Sequence, residues 1–215
     1  MVIIAPKMHY PSQLKPITNN LSLYIPDYKE VKGIYENLLK SNPNEPFPYW
    51  TKLWAASIAL VQYLKSNPNW IEGKNVIEIG AGLGLPSFSI ANIAKSITIT
   101  DNVPEAVELF KKNIQQLKTN NIQAMVLDWN EVPDQIKPEV VILSDVNYNP
   151  LAFVSLWNLI KRFIESGSYV ILSTPQRISA SPFVNALEAF IKQKHIEIVN
   201  ENGNQVEISI LVLYK

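Results

Sequence analysis

Gly80, Gly82 and Gly84 are three of only seven glycines in a 215-residue chain, and they fall inside five consecutive positions. Glycine is otherwise scarce here, at less than half its usual share of ~7%. Glycines after a strand let the backbone turn sharply and bring its N–H groups close to a ligand. Glu78 precedes this loop and Ala81 sits inside it. More acids follow at intervals: Asp101 with Asn102, Asp128 beside Trp129, and Asp145 ahead of Tyr148. A carboxylate about 20 residues past such a loop can accept both hydroxyls of a ribose, which is the chemistry available to Asp101. Asp101 can also cap the helix that follows it, since the two roles can use different oxygens. Asp128 can accept from an exocyclic amine such as that of adenine, with the Trp129 indole offering apolar surface. The loop is not a dinucleotide fingerprint, because Leu85 occupies the third position of G-x-G-x-x-G/A. It is not a phosphate-binding P-loop either, since no Gly-Lys-Ser/Thr follows.

These residues need strands to carry them. Apolar runs at 75–79, 96–100, 124–127, 139–144 and 169–173 read as strands, and Glu78, Asp101, Asp128 and Asp145 stand at or just past the ends of the first four. Helical spacing predicts helices over 52–65, 86–94, 104–118, 150–165 and 182–192. Trp54 falls on the first of these, with Trp50 one turn earlier. Asn149-Pro150, Ser181-Pro182 and Asp101 ahead of Pro104 each place a capping residue at or near a proline, as helix starts do. The strands are apolar throughout, as in parallel sheets buried on both faces. Two last runs, at 195–199 and 206–213, are joined by Asn200-Glu201-Asn202-Gly203-Asn204, which has no room for a helix and predicts a hairpin. The fold class is α/β, with a doubly wound, mostly parallel, seven-stranded sheet ending in an antiparallel hairpin.

Seven of the 15 prolines lie before Trp50, so residues 1–50 read as a small cap, with one strand at 21–25 and one helix at 29–40. Residues 51–215 form the main domain. With 47% hydrophobic residues the chain can bury a core. Nineteen basic residues balance 19 acidic ones, which argues against electrostatic binding of nucleic acid. There is no cysteine, and His9 and His195 lie far apart, so neither a metal site nor a Ser-His-Asp hydrolase is expected. His195 reads as a structural or exposed residue at the start of a strand. No apolar run approaches the ~20 residues of a membrane span, and the start MVIIAPKMHYP lacks the basic region of a secretion signal. A cytoplasmic location is the expectation.

The segments VIEIGAGLGLPSF, ITITD, LDW and VILSDVNY resemble the class I S-adenosylmethionine-dependent methyltransferases, whose sheet is Rossmann-like. Within that class, PYWTKLWAASIALVQYL and the D-x-x-Y spacing of Asp145 and Tyr148 resemble the seven-strand protein-lysine methyltransferases, in particular the branch of the electron-transfer-flavoprotein β-subunit lysine methyltransferase and its bacterial relatives. The resemblance covers residue 52 to the end. It implies S-adenosylmethionine as cofactor, with Glu78 and Gly80, Ala81, Gly82 and Gly84 at its methionine part, Asp101 and Asn102 at the ribose, Asp128 and Trp129 at adenine, and Trp54 lining the pocket. Asp145 and Tyr148 would stand at the acceptor amine as catalytic residues, without a dedicated general base.

The implied acceptor is a lysine of a protein. A small-molecule amine is the enzymatic alternative, and a cofactor-binding interaction protein without catalysis is the other. The Asn/Asp-Pro-Pro-aromatic motif of base N-methyltransferases is missing, since Asp145-Val146-Asn147-Tyr148 holds neither proline. That counts against a nucleic-acid acceptor.

Overall fold

The computed structural model describes residues 10–201 and 203–215. Pro6, His9 and the rest of the apolar start lie outside the described residues, as does Asn202 of the hairpin linker. In chain order the elements are β1 (Ser12–Thr18), β2 (Leu21–Pro26), α1 (Tyr28–Ser41), α2 (Ala55–Ser66), β3 (Asn75–Glu78), α3 (Leu85–Ser89), β4 (Ser96–Asp101), α4 (Pro104–Leu117), β5 (Ile122–Val126), β6 (Val140–Ser144), α5 (Phe153–Glu165), β7 (Tyr169–Pro175), α6 (Ser181–Ala186), β8 (Ile191–Glu201) and β9 (Asn204–Leu213).

Seven strands form one sheet in the order β5-β4-β3-β6-β7-β9-β8. All neighbours are parallel except at β9, which runs antiparallel to both β7 and β8. The chain steps outward from β3 through β4 to β5, then returns to lay β6 on the other side of β3. That reversal opens a crevice at the carboxyl ends of β3 and β6, where ligands bind in open α/β sheets.

The apolar strands serve two cores at once. Val76, Ile97, Val140 and Ile171 pack toward α2, α3 and α4, while Ile77, Val141 and Leu172 pack toward α5 and α6. Side chains on a strand alternate faces, so a sheet covered by helices on both sides favours near-continuous apolar runs.

The N-terminal segment is docked on this frame. Leu21 and Leu23 of β2 join the first core. The buried Asn113 of α4 accepts from the Tyr24 N–H at 2.7 Å and donates to the Tyr24 carbonyl at 3.0 Å, so one side chain satisfies a stretch of β2's open edge. β1 was not expected, because Pro16 speaks against regular structure. In a two-stranded sheet that proline sits at a register shift between Pro16 and Thr18, where no ladder bond is required of it.

Other boundaries differ for physical reasons. The helix expected over 86–94 ends at Ser89. Its continuation turns back toward the sheet, and the Asn121 amide takes up the freed carbonyls of Ala91 and Ala94 at 2.7 and 3.1 Å. The strand expected at 124–127 begins two residues earlier, at Ile122, paired with Ile97 of β4. The helix expected over 182–192 stops at Ala186, and strand β8 starts at Ile191 rather than His195. Ladder pairing along ten-residue β9 overrides the local helical pattern there. Ser181 is the first residue of α6 and makes no cap bond, since the turn Ile178–Ala180 already leads into the helix. Asn149 caps only the short turn Pro150–Ala152, accepting from the Leu151 N–H at 3.1 Å, and α5 follows at Phe153 without a side-chain cap.

Among the described residues no helix is long and apolar enough to cross a membrane, and no three His, Asp or Glu side chains gather into a metal-binding group.

Candidate active site

A cavity of about 520 Å³ opens at the carboxyl ends of β3, β4 and β6. Its floor is the glycine loop, held by two bonds to the neighbouring strand: Ala81 N–H to the Thr100 carbonyl, and Gly82 N–H to Asp101 Oδ2, both 2.9 Å. Gly80, Ala81 and Gly82 line the cavity together with Asp101, Asn102 and Trp129. A Cβ on Gly80 would lie 3.1 Å from Val146 and 3.4 Å from the Trp129 ring, so glycine lets the loop pass close beneath the indole.

Asp101 is 5% exposed. Its Oδ1 accepts from the Val103 N–H at 3.0 Å, which forms a turn just before α4 rather than the helix cap expected of it, and its Oδ2 accepts from Gly82. Burial pushes its pKa up, while the N–H groups of Gly82, Val103 and Asn102 oppose the rise. Each oxygen keeps a lone pair for a ligand hydroxyl.

Glu78, Gly84 and Asp128, all expected in the binding set, do not line the cavity. Glu78 is fully buried beneath the loop, where its Oε2 accepts from Ser87 N–H at 3.0 Å and from the Ser87 hydroxyl. Burial pushes its pKa up to about 8, against the lowering effect of Ser87, so at neutral pH it is mostly an uncharged acid. It anchors the start of α3 from below. Gly84 is a packing residue: a Cβ there would stand 2.2 Å from Ile99 and 3.0 Å from Phe88. Asp128 folds onto its own turn, with Oδ1 accepting from the Asn130 N–H and side-chain amide at 2.8 and 2.7 Å. Of that pair only Trp129 reaches the cavity.

Trp54 does line the cavity, although it is not on a helix. Its backbone is extended, α2 begins at the next residue, and Tyr49–Thr51 form a separate helical turn. The indole N–H donates to the Tyr49 carbonyl at 3.1 Å, and the Lys52 ammonium sits 4.2 Å from the ring centre. Pro46, Pro48 and Trp50 add to the wall, so the proline-rich segment shapes this opening. Trp50 also packs on the first core.

Asp145 and Tyr148 stand together where β6 ends. Asp145 is buried and adopts φ 55, a left-handed conformation stabilised by its N–H donating to the Ser173 carbonyl at 2.9 Å. Tyr148 lies 5.3 Å from Tyr49, ring to ring. Partial burial pushes its hydroxyl above the usual range, with Asp101, Tyr49 and Asp145 adding to the rise, so it remains a hydrogen-bond donor. Tyr49, Trp54, Asp145 and Tyr148 also line a second cavity of about 230 Å³, whose fifth wall is Arg177. One guanidinium nitrogen of Arg177 donates to Asp145 Oδ1 and the other to Oδ2, the latter at 3.0 Å.

Tyr49 and Arg177 join the site without a local sequence signal. Tyr49 lies outside any strand end. Arg177 follows β7 by two residues, but as a cation it lacks the carboxylate signature of the other strand ends. His195 lies within β8, exposed, with Nε2 3.1 Å from Glu197 and far in sequence from every cavity-lining strand end.

Comparison with known proteins agrees with this geometry. The sequence model of a lysine methyltransferase family matches residues 49–194. The chain is 32% identical over 148 residues to the histidine protein methyltransferase 1 homolog of Dictyostelium discoideum, covering 65% of this chain and 48% of that protein. It is 30% identical over 128 residues to protein N-lysine methyltransferase METTL21A of Danio rerio, covering 56% and 58%. The chain thus spans about half the length of such relatives. The same fold is found in the tRNA (uracil-54, C5)-methyltransferase of Pyrococcus abyssi, solved in complex with S-adenosyl-L-homocysteine, with TM-score 0.60, 15% identity, and coverage of 94% of this chain and 44% of that one. The glycine loop, the acids at the strand ends and the matched span together place the chain in the lysine methyltransferase family.

Proposed function

We propose that this chain is an S-adenosylmethionine-dependent N-methyltransferase whose acceptor is a lysine amine of a protein. The observation that carries the reading is the pair of adjoining cavities, which share Tyr49, Trp54, Asp145 and Tyr148 as common walls. A donor in the larger cavity and an acceptor in the smaller one would meet across those four side chains.

The larger cavity suits the donor in size and chemistry, since ligand sites of this kind span roughly 300–1,000 Å³. Asp101 would accept from the ribose hydroxyls. Trp129 offers a flat apolar surface for adenine, and the backbone of Gly80 to Gly82 leaves room for the methionine part. When bound, S-adenosylmethionine supplies an electrophilic methyl group on a sulfonium whose departing thioether is neutral, so no acid catalyst is needed.

The protein's task is then alignment, which can contribute up to ~7–11 kcal/mol in favourable cases. Asp145 accepts a hydrogen bond from the amine and turns its lone pair toward the donor. Tyr49, Trp54 and Tyr148 enclose the nitrogen with aromatic faces, and the Tyr148 hydroxyl can bond to it. Free lysine has a pKa of ~10.4, so the amine must lose its proton before transfer. Partial desolvation against those half-exposed aromatic faces and a nearby sulfonium charge both favour that loss. Two relatives by sequence are named a histidine protein methyltransferase homolog and a protein N-lysine methyltransferase, which supports a protein acceptor.

The test is transfer of label from methyl-labelled S-adenosylmethionine in a heat-treated lysate, with counts followed into protein and small-molecule fractions and the labelled protein hydrolysed. Methyllysine in the protein fraction is expected. Label confined to small molecules would overturn the protein acceptor, and no enzyme-dependent label would overturn methyl transfer.

A further inference from the structure

Arg177 gives the smaller cavity an unusual charge balance. Three of the five walls, Tyr49, Trp54 and Tyr148, are uncharged aromatics, and the other two form a closed bidentate ion pair. The Asp145 side chain is 5% exposed, so a bare carboxylate there would dominate the field in the cavity; Arg177, at 33%, reaches it from the rim. Other charges lie nearby, with Glu45, Glu105 and Asp101 all lining the larger cavity and Asp101 acting on Tyr148. Lys52 lies over Trp54 and bridges to Glu201 at 3.1 Å, and Asp101 in the larger cavity holds backbone N–H groups. Lys194 lines a neighbouring hollow with Arg177 and adds positive rather than negative charge to that side.

We propose that Arg177 is a positioning residue that sets the charge state of the acceptor: by offsetting Asp145 it makes the cavity neutral overall, so the amine is held uncharged. The inference rests on reading this cavity as the acceptor site. An uncompensated carboxylate would attract lysine as the ammonium and keep it protonated, and an ammonium nitrogen has no lone pair to receive a methyl group. A charge within ~4–6 Å shifts such an equilibrium by roughly 1–3 pH units. With the fork in place, Asp145 still offers a lone pair on each oxygen to an amine N–H, without a net charge that would reward protonation. The same fork fixes the carboxylate plane, so the direction in which it accepts is set before the acceptor arrives.

The experiment compares native protein, Arg177→Gln and Arg177→Lys, using heat-treated lysate protein as acceptor and methyl-labelled S-adenosylmethionine, with rates taken from about pH 6 to pH 10. Arg177→Gln is expected to lower both the saturated rate at neutral pH and the half-saturating acceptor concentration. Its rate should recover at high pH, with the acid limb moved up by about one unit or more. Arg177→Lys keeps the charge and should keep the native limb, at a reduced rate from the lost fork. Calorimetric affinity for S-adenosylmethionine should be unchanged in both, because Arg177 does not line the larger cavity. An Arg177→Gln protein with native donor affinity whose acid limb stays in place, or whose activity falls equally at every pH, would overturn the inference. If Arg177→Gln does not fold, Arg177→Lys decides alone, a displaced limb being the contrary result. Native protein that labels nothing would defeat the proposed function itself, which separates the two failures.

Discussion

The Gly82 N–H donates to Asp101 Oδ2 at 2.9 Å, tying the loop after β3 to the last residue of β4. The carboxylate assigned to the ribose thus also holds the floor of the donor cavity in shape. Asp101→Ala removes both functions. Hydrogen bonds to a charged group are worth ~1.5–3 kcal/mol each, and ~1.4 kcal/mol is tenfold in affinity, so S-adenosylmethionine should bind at least about tenfold more weakly. Titration calorimetry measures this, and native affinity in the variant would remove Asp101 from the donor site.

Two glycines should respond in opposite directions to alanine. At Gly84, φ is 72 and the new Cβ would meet Ile99 at 2.2 Å. Overpacking and the left-handed backbone together cost about 2–4 kcal/mol, so the melting temperature should fall by about 5–15 °C. Gly33 lies inside α1 with nothing within 4 Å of its Cβ position. Alanine there should stabilise by about 0.5–1 kcal/mol. Thermal unfolding of the two variants checks the pair, and a destabilised Gly33→Ala would contradict the assignment.

Glu78 makes stability depend on pH in a definite direction. Its pKa rises on folding from 4.5 to about 8, so between those values the folded chain keeps a proton that the unfolded chain has released. Stability therefore falls as pH rises through that window and is indifferent to this group on either side. Glu78→Gln removes the dependence. Melting temperatures near pH 5 and near pH 8 should differ less in the variant than in the native protein, and an equal difference would show that Glu78 is charged in the fold.

The central sheet could be read from sequence because strands buried on both faces are near-continuously apolar, as 140–143 and 170–172 are. Asp101, Asp145 and the loop from Gly80 to Gly82 were legible for a related reason, since strand ends in such sheets fix where ligands bind. What remained hidden depended on contacts between distant segments. Nothing local announces that Asn113 will bind the edge of β2, 89 residues away, or that pairing with β9 will claim residues 191 and 192 from a helix. Glu78 and Gly84 have the residue types of a binding loop, but burial decides that one props the loop and the other packs against Ile99. Arg177 is paired with an acid 32 residues earlier, a relationship that only the fold creates.

Asp101 lines only the larger cavity and is assigned to donor binding, whereas Asp145 stands in the wall shared by both cavities and is assigned to transfer. The most direct measurement sets calorimetric S-adenosylmethionine affinity beside the rate of methyl transfer to lysate protein, for native protein and Asp145→Asn. The isosteric amide cannot accept from the amine as a carboxylate does. Donor affinity within about twofold of native together with a transfer rate reduced about a hundredfold is the predicted result, the scale set by the ~10²-fold cost of misaligning a reacting group. Transfer at the native rate by folded Asp145→Asn would contradict it.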